Sequence, residues 1–169
     1  MSTRQLRVVG LDLSLTSTGM SDGSRPEVVQ TSPSGGPIEA RLDTLVQGVM
    51  DFVHGARVPH AMADLVVIEG ASYGSKGSAV EQLAALRLMV RHRLWRRRVP
   101  FALVAPSTLK LATTGNGRAT KALMIACVDA KYGTGFKSIR IKDGRDDRAD
   151  AFALAAMGLA RVGQPLPVG

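Results

Sequence analysis

Two short apolar runs each carry a carboxylate where a buried strand should hold none. Residues 6–13 (LRVVGLDL) are aliphatic and β-branched and read as a buried strand, yet Asp12 lies within it. Residues 64–69 (DLVVIE) read as a second buried strand and close on Glu69. An acid in that setting is costly unless it is paired, bound to a cation or placed at the solvent end of a sheet. The chain must therefore fold so that both strand ends open onto something that accepts negative charge.

The remaining pattern alternates strands with helices. Polar and turn residues at 16–19 and 21–23 predict a hairpin into a second strand around Met20 or Val28. A Ser/Pro/Gly loop at 32–37 precedes a helix over 38–53, where Ile38, Leu42, Leu45, Val49 and Phe52 recur at helical spacing. A long helix over 78–98 becomes strongly basic at its end, and a short strand over 101–105 stops at Pro106. A glycine-bearing loop at 115–117 leads into a helix over 120–131. Residues 137–146 read as a charged, mobile segment, the last helix runs from about 147 to 162, and a short tail begins near 163. With no internal repeat and no long linker, the expectation is one α/β domain over residues 1–169, on a mixed sheet.

Charge narrows the partner. Lys and Arg number 22 against 14 Asp and Glu, a net +8 in 169 residues, which favours a polyanion such as nucleic acid over an anionic membrane surface. Cys127 is the only cysteine, so neither an intrachain disulfide nor a cysteine zinc site is available. No apolar run approaches the ~20 residues of a membrane span, and the first one is short and interrupted by Asp12. A soluble, cytoplasmic protein is expected, with no membrane partner and no small-molecule cofactor.

Asp147 and Asp150 lie three residues apart at the start of the last helix and so project from one face. Each acid alone has an ordinary reading: Asp147 as a helix-capping acid, Glu69 as a strand end at the surface. Together, in a chain of charge +8, Asp12, Glu69, Asp147 and Asp150 suggest a cluster for hard divalent cations, which take oxygen ligands. Two such ions ~3.5–4 Å apart can activate a water and stabilise a leaving oxygen in phosphodiester cleavage.

Four segments, in order, resemble a known family. GLDLSLTSTG is similar to the first-strand motif of RuvC-type Holliday junction resolvases, DLVVIE to their strand ending in a catalytic Glu, TTGNGRATK to their glycine-containing loop before a basic residue, and DDRADAFALA to their terminal motif. The resemblance covers nearly the whole chain, from about residue 7 to residue 161. It implies an RNase H-like fold, a five-stranded mixed sheet flanked by helices. It also implies active acids at Asp12, Glu69, Asp147 and Asp150, with Asp147 rather than Asp146 fitting the spacing to Asp150. Lys121 matches the family's basic residue near the scissile phosphate. The implied activity is Mg²⁺-dependent cleavage of Holliday junctions or other branched DNA, with Mn²⁺ able to substitute, in recombination and repair. The implied assembly is a homodimer packed through the 78–98 helix, with Leu86, Met89, Val90 and Leu94 facing the partner. The family carries an aromatic three residues beyond the Glu; here Ser72 holds that place and Tyr73 follows.

The basic residues divide less cleanly. Arg118 and Lys121, after the Gly115-Asn116-Gly117 turn, are candidates for phosphate contact, and a helix N-terminus there would add backbone donors. Lys76, Lys137, Arg140, Lys142, Arg145 and Arg148 could line the same surface. Tyr73 suits stacking on an unpaired base or anchoring of its own loop. Arg91, Arg93 and Arg96 to Arg98, with Trp95, are either a DNA patch or a solvated helix end. Three alternatives stay open: an RNase H-like nuclease for flaps, single strands or RNA–DNA hybrids; an actin-like nucleotide-binding fold, whose first phosphate motif GLDLSLTSTG also resembles; and a non-catalytic DNA-binding protein.

Overall fold

The computed structural model describes residues 4–24, 26–55, 62–71 and 77–166. Five strands, β1 (Val8–Asp12), β2 (Ser17–Ser21), β3 (Glu27–Gln30), β4 (Leu65–Glu69) and β5 (Phe101–Val104), form one sheet in the order β3-β2-β1-β4-β5. The β1, β4 and β5 strands are parallel, while β2 runs antiparallel to both of its neighbours. Five helices follow the chain: α1 (Ile38–Val53), α2 (Ser78–Arg96), α3 (Pro106–Thr114), α4 (Lys121–Tyr132) and α5 (Arg145–Arg161). Strands form around both Met20 and Val28; the residues at 21–23 do turn from β2 toward β3, but Ser17 to Gly19, expected as a turn, belong to β2 itself.

Strand alternation divides the core in two. Val9, Leu11, Val66 and Ile68 pack with α1 and α2, while Val8 and Val67 pack with α3, α4 and α5. Asp12, four residues on from Val8, and Glu69, two on from Val67, therefore belong to the α5 face. The register pairs Leu11 with Ile68 and Asp12 with Gly19, which sets Asp12 between Gly19 and Glu69 at one end of the sheet.

The α5 helix comes unusually close to this face. A Cβ on Gly10 would lie 2.1 Å from the Ala151 carbonyl oxygen and 2.6 Å from the Ala155 nitrogen. One on Gly19 would lie 2.1 Å from the carbonyl oxygen of Asp147. Small residues on the helix complete the approach, with Ala151, Ala155 and Gly158 all buried. This close seat fixes both the height and the rotation of α5, so Asp147 rides over β2 and Asp150 over β1.

Three features depart from the sequence-based expectation. The α3 helix fills the stretch after Pro106, where only a strand stop is expected; Pro106 opens its first turn and Gly115 closes it with φ 77°. Residues 137–146 are ordered by tertiary contacts: the Asp129 carboxylate accepts from Phe136 N (2.7 Å), Lys137 N (2.9 Å) and Thr134 Oγ1 (2.6 Å), and two 3-10 turns follow. The basic helix α2 ends at Arg96 rather than at 98, and Arg98 takes φ 55° as the chain turns into β5.

Substituting Ala at Gly10 or Gly19 forces the backbones of β1 or β2 and α5 apart. Each variant is expected to lose at least the ~1–3 kcal/mol typical of overpacking, read as a lower urea midpoint. A wild-type midpoint for Gly10→Ala would show that the seat of α5 is not sterically fixed.

Candidate active site

Asp12 and Glu69 are the last residues of two adjacent parallel strands, and α5 brings Asp147 and Asp150 over them. All four are half-buried. Among the described residues, none of the four carboxylates accepts a hydrogen bond or forms an ion pair. Asp146 does both, lying 3.0 Å from Arg145 Nε and 3.9 Å from Lys121 Nζ.

Their electrostatics follow from that isolation. Burial pushes the Asp12 carboxyl well above its ordinary range, and Asp150, Glu69 and Asp147 raise it further while Lys121 opposes them. Asp150 is pushed up to about 7, first by burial and then by Glu69, with Lys121 pulling it back and Asp147 and Asp146 adding to the rise. Burial also raises Glu69, against the opposing charges of Arg87, Lys121 and Lys110. Of the adjacent pair, Asp147 acts on Asp12 as well as on Asp150, whereas Asp146 acts only on Asp150. The four acids form one interacting group on geometry the sequence alone could not supply.

A divalent cation fits this donor set. Hard carboxylate oxygens, partly desolvated, mutually repelling and without hydrogen-bond partners among the described residues, suit a hard divalent ion. Among the described residues no group of three or more His, Cys, Asp or Glu side chains stands close enough, as placed, to hold a metal ion.

The basic candidates separate. Lys121 opens α4 behind the capping Thr120, whose hydroxyl accepts from Leu123 N at 3.3 Å, and its side chain is 63% exposed beside the acids. Arg118 is exposed on the preceding loop. Tyr73 and Lys76, with Ser72, lie outside the described residues. Arg140 pairs with Asp143 and Arg145 with Asp146, while Arg148 donates to the carbonyl oxygens of Pro26 and Asp143. Arg148 is thereby tied into the fold, whereas Arg140 is 70% exposed in a surface pair and Arg145 pairs, among the described residues, only with its sequence neighbour. The arginine-rich end of α2 leads into the start of β5, level with Val66, and so lies at the opposite end of the sheet from Glu69. Arg91 covers the Phe101 ring, 5.7 Å from its centroid.

Two cations were missed. Lys110 sits on the unanticipated helix α3, and Arg87 reads as one more charge on a basic helix; both act on Glu69. Pro106 followed nine residues later by Gly115 was the available signal for Lys110. Nothing local marks Arg87.

The sheet order, the helices on both faces and the acid-lined strand ends define an RNase H-like protein. No family model matches the chain. It is 35% identical over 168 residues to the crossover junction endodeoxyribonuclease RuvC of Nocardioides sp., covering 94% of this chain and 89% of that protein. It is 32% identical over 159 residues to the RuvC of Mycobacterium leprae, covering 89% and 79%. The fold is similar to that of Thermus thermophilus RuvC in complex with Holliday junction substrate, with TM-score 0.73, 22% identity and 97% and 100% coverage. It is also similar to the yeast mitochondrial Holliday junction resolvase Ydc2, with TM-score 0.57, 15% identity and 89% and 76% coverage. The chain belongs to the RuvC family of crossover junction endodeoxyribonucleases.

Without metal, the raised Asp150 pKa has a defined consequence for stability. Between the ordinary carboxyl value of 3.8 and about 7, the native state holds a proton that the unfolded chain releases. Stability from this group is therefore present below that window and is lost as pH rises through it. His54, whose pKa is lowered by burial and by Arg97, acts in the opposite sense near its ordinary 6.5, so the comparison is made against Asp150→Asn. In EDTA, the melting temperature of the wild type is expected to fall relative to Asp150→Asn between pH 5 and pH 8. Parallel curves would refute the charge crowding.

Proposed function

We propose that this protein is a divalent-metal-dependent endonuclease, carried on one domain, that cuts Holliday junctions or closely related branched DNA in the cytoplasm. The observation that carries the reading is the convergence of Asp12 and Glu69, at the ends of β1 and β4, with Asp147 and Asp150 at the start of α5, acids without a hydrogen-bond or ion-pair partner among the described residues, in a protein of net charge +8. Membership of the RuvC family supports the substrate class.

Asp12, Glu69, Asp147 and Asp150 would hold the metal, with Mg²⁺ the expected ion and Mn²⁺ able to replace it. The bound cation supplies charge to activate a water and to stabilise the leaving oxygen of a phosphodiester. Each acid must be ionised to serve as a ligand, so binding strengthens as pH rises toward and past the Asp150 value. Lys121, exposed at a helix N-terminus, would meet the scissile phosphate, with Arg118 on the preceding loop contacting the DNA backbone alongside. Lys110, acting on Glu69 from α3, belongs to the same positive rim.

A homodimer remains the proposed assembly, with a different contact face. Leu86, Val90 and Leu94 are buried in the chain's own core, and Met89 packs against it. The outward stripe of α2 is instead Ala84, Leu88, His92 and Trp95, with Leu88 63% and Trp95 68% exposed. Exposed apolar groups in such a row suit a second copy of the helix. Leu88→Asp with Trp95→Asp is expected to shift the protein toward monomer in sedimentation; an unchanged mass would remove this face from consideration.

The deciding experiment is cleavage of a labelled four-way junction beside matched linear duplex, with Mg²⁺ and then with EDTA. Paired nicks on the junction alone, lost with EDTA, are expected. Equal cutting of flaps and single strands would retain the metal site and change the substrate. Asp12→Asn is expected to lower the cleavage rate by roughly a thousandfold or more, consistent with loss of metal-borne transition-state stabilisation. It should leave junction binding intact, and activity near wild type would exclude Asp12 as a ligand. Binding should also weaken steeply between ~50 and ~200 mM salt, as counterion release requires.

A further inference from the structure

We infer that Arg87 is a positioning residue for Glu69, acting through the backbone at the exit of β4. The inference rests on the metal-site reading above. Glu69 is the last residue of β4, and Gly70 is held from two sides. Its N–H donates to the Val104 carbonyl oxygen at 2.8 Å, and its own carbonyl accepts from an Arg87 terminal guanidinium nitrogen at 3.3 Å. The first bond extends the β4–β5 ladder by one residue. The second comes from α2, on the opposite face of the sheet from α5, and so clamps the peptide that follows the acid.

The packing around Arg87 points the same way. Its Nε is buried without a hydrogen-bond partner, and among the described residues no carboxylate pairs with its guanidinium. A desolvated donor left unmet weakens a fold, so core stability alone gives no reason for an arginine at this position. A methionine would fill the same volume among Leu15, Val80 and Leu83, which line the cleft with Arg87. What only the guanidinium supplies is the tie to Gly70 and a positive charge facing Glu69, the strongest of the cations acting on that acid. Among the described residues Glu69 has no hydrogen bond of its own to orient it. Its placement therefore depends on the backbone it leaves from, much as metal ligands elsewhere depend on the groups behind them.

The test uses the full chain without DNA and reads the Mg²⁺-dependent rise in melting temperature, for wild type, Arg87→Met, Arg87→Lys, Glu69→Gln and the double variant. Arg87→Met is expected to melt at or slightly above the wild-type temperature in EDTA. Its half-saturating Mg²⁺ concentration should rise by about 10-fold, the low end of the loss seen when support behind a metal ligand is removed. Arg87→Lys should fall between the two, keeping an N–H donor for the Gly70 carbonyl and losing the fork. In the Glu69→Gln background Arg87→Met should add nothing further, because the group it positions has gone. Equal Mg²⁺ response in wild type and Arg87→Met, or a further full loss in the double variant, would overturn the assignment. A wild type whose melting ignores Mg²⁺ would overturn the metal reading itself and this inference with it.

Discussion

The seat of α5 on the sheet is the constraint on which the rest depends. Gly10 and Gly19 leave no side chain between β1, β2 and the helix backbone, and Ala151, Ala155 and Gly158 answer them from the helix side. At that separation the helix can neither roll nor slide without a clash, because neighbouring backbone atoms and not flexible side chains set the contact. Asp147 and Asp150 are thereby delivered to Asp12 and Glu69 from a segment more than 70 residues downstream of Glu69. A looser helix would keep the same core and lose the acid group.

The chain treats its carboxylates in two ways, and the contrast separates acids held by hydrogen bonds from acids that, among the described residues, accept none. Asp129 accepts three hydrogen bonds and its pKa is lowered by them despite the opposing effect of burial. Asp64 accepts from Arg7 N and pairs with Arg4. Those acids stabilise loops and strand ends. At Asp12 and Asp150 burial and like charge act together, and the nearby lysine does not offset them. Groups perturbed in this way collect at functional sites, because only a ligand restores the balance. A net charge of +8 elsewhere does not remove the local penalty, since screening confines exposed charges to within roughly 10 Å.

The cations show a parallel division. Arg7 donates to the carbonyl oxygens of Phe52 and Val53, Arg41 to that of Leu15 and Arg148 to that of Pro26, so much of the basic composition is spent holding the fold. Lys121 and Lys110, with Arg87 behind Glu69, are positive groups that the topology brings to the acid end. The arginines at the end of α2 are not among them. A polyanion reading from net charge is sound for the whole protein and uninformative about which residue touches it.

Sequence alone determined the strands and the acids on them. Apolar β-branched runs interrupted by Asp12 and closed by Glu69 leave little else to fold into, and helical spacing places Asp147 and Asp150 on one face whatever the surroundings. The hairpin, α1, α4 and α5 were legible for the same reason, because periodicity and turn chemistry are local. Tertiary structure decided everything that depends on facing surfaces. It anchored residues 134–137 on Asp129, turned Leu86, Val90 and Leu94 inward, tied Arg148 into the fold, and set Arg87 against Gly70. The α3 helix lay between the two cases, marked by Pro106 and Gly115 but too short and too polar for its period to show. Hydrophobic spacing records which way a residue faces within its own element, whereas a charge finds its partner only when distant elements meet.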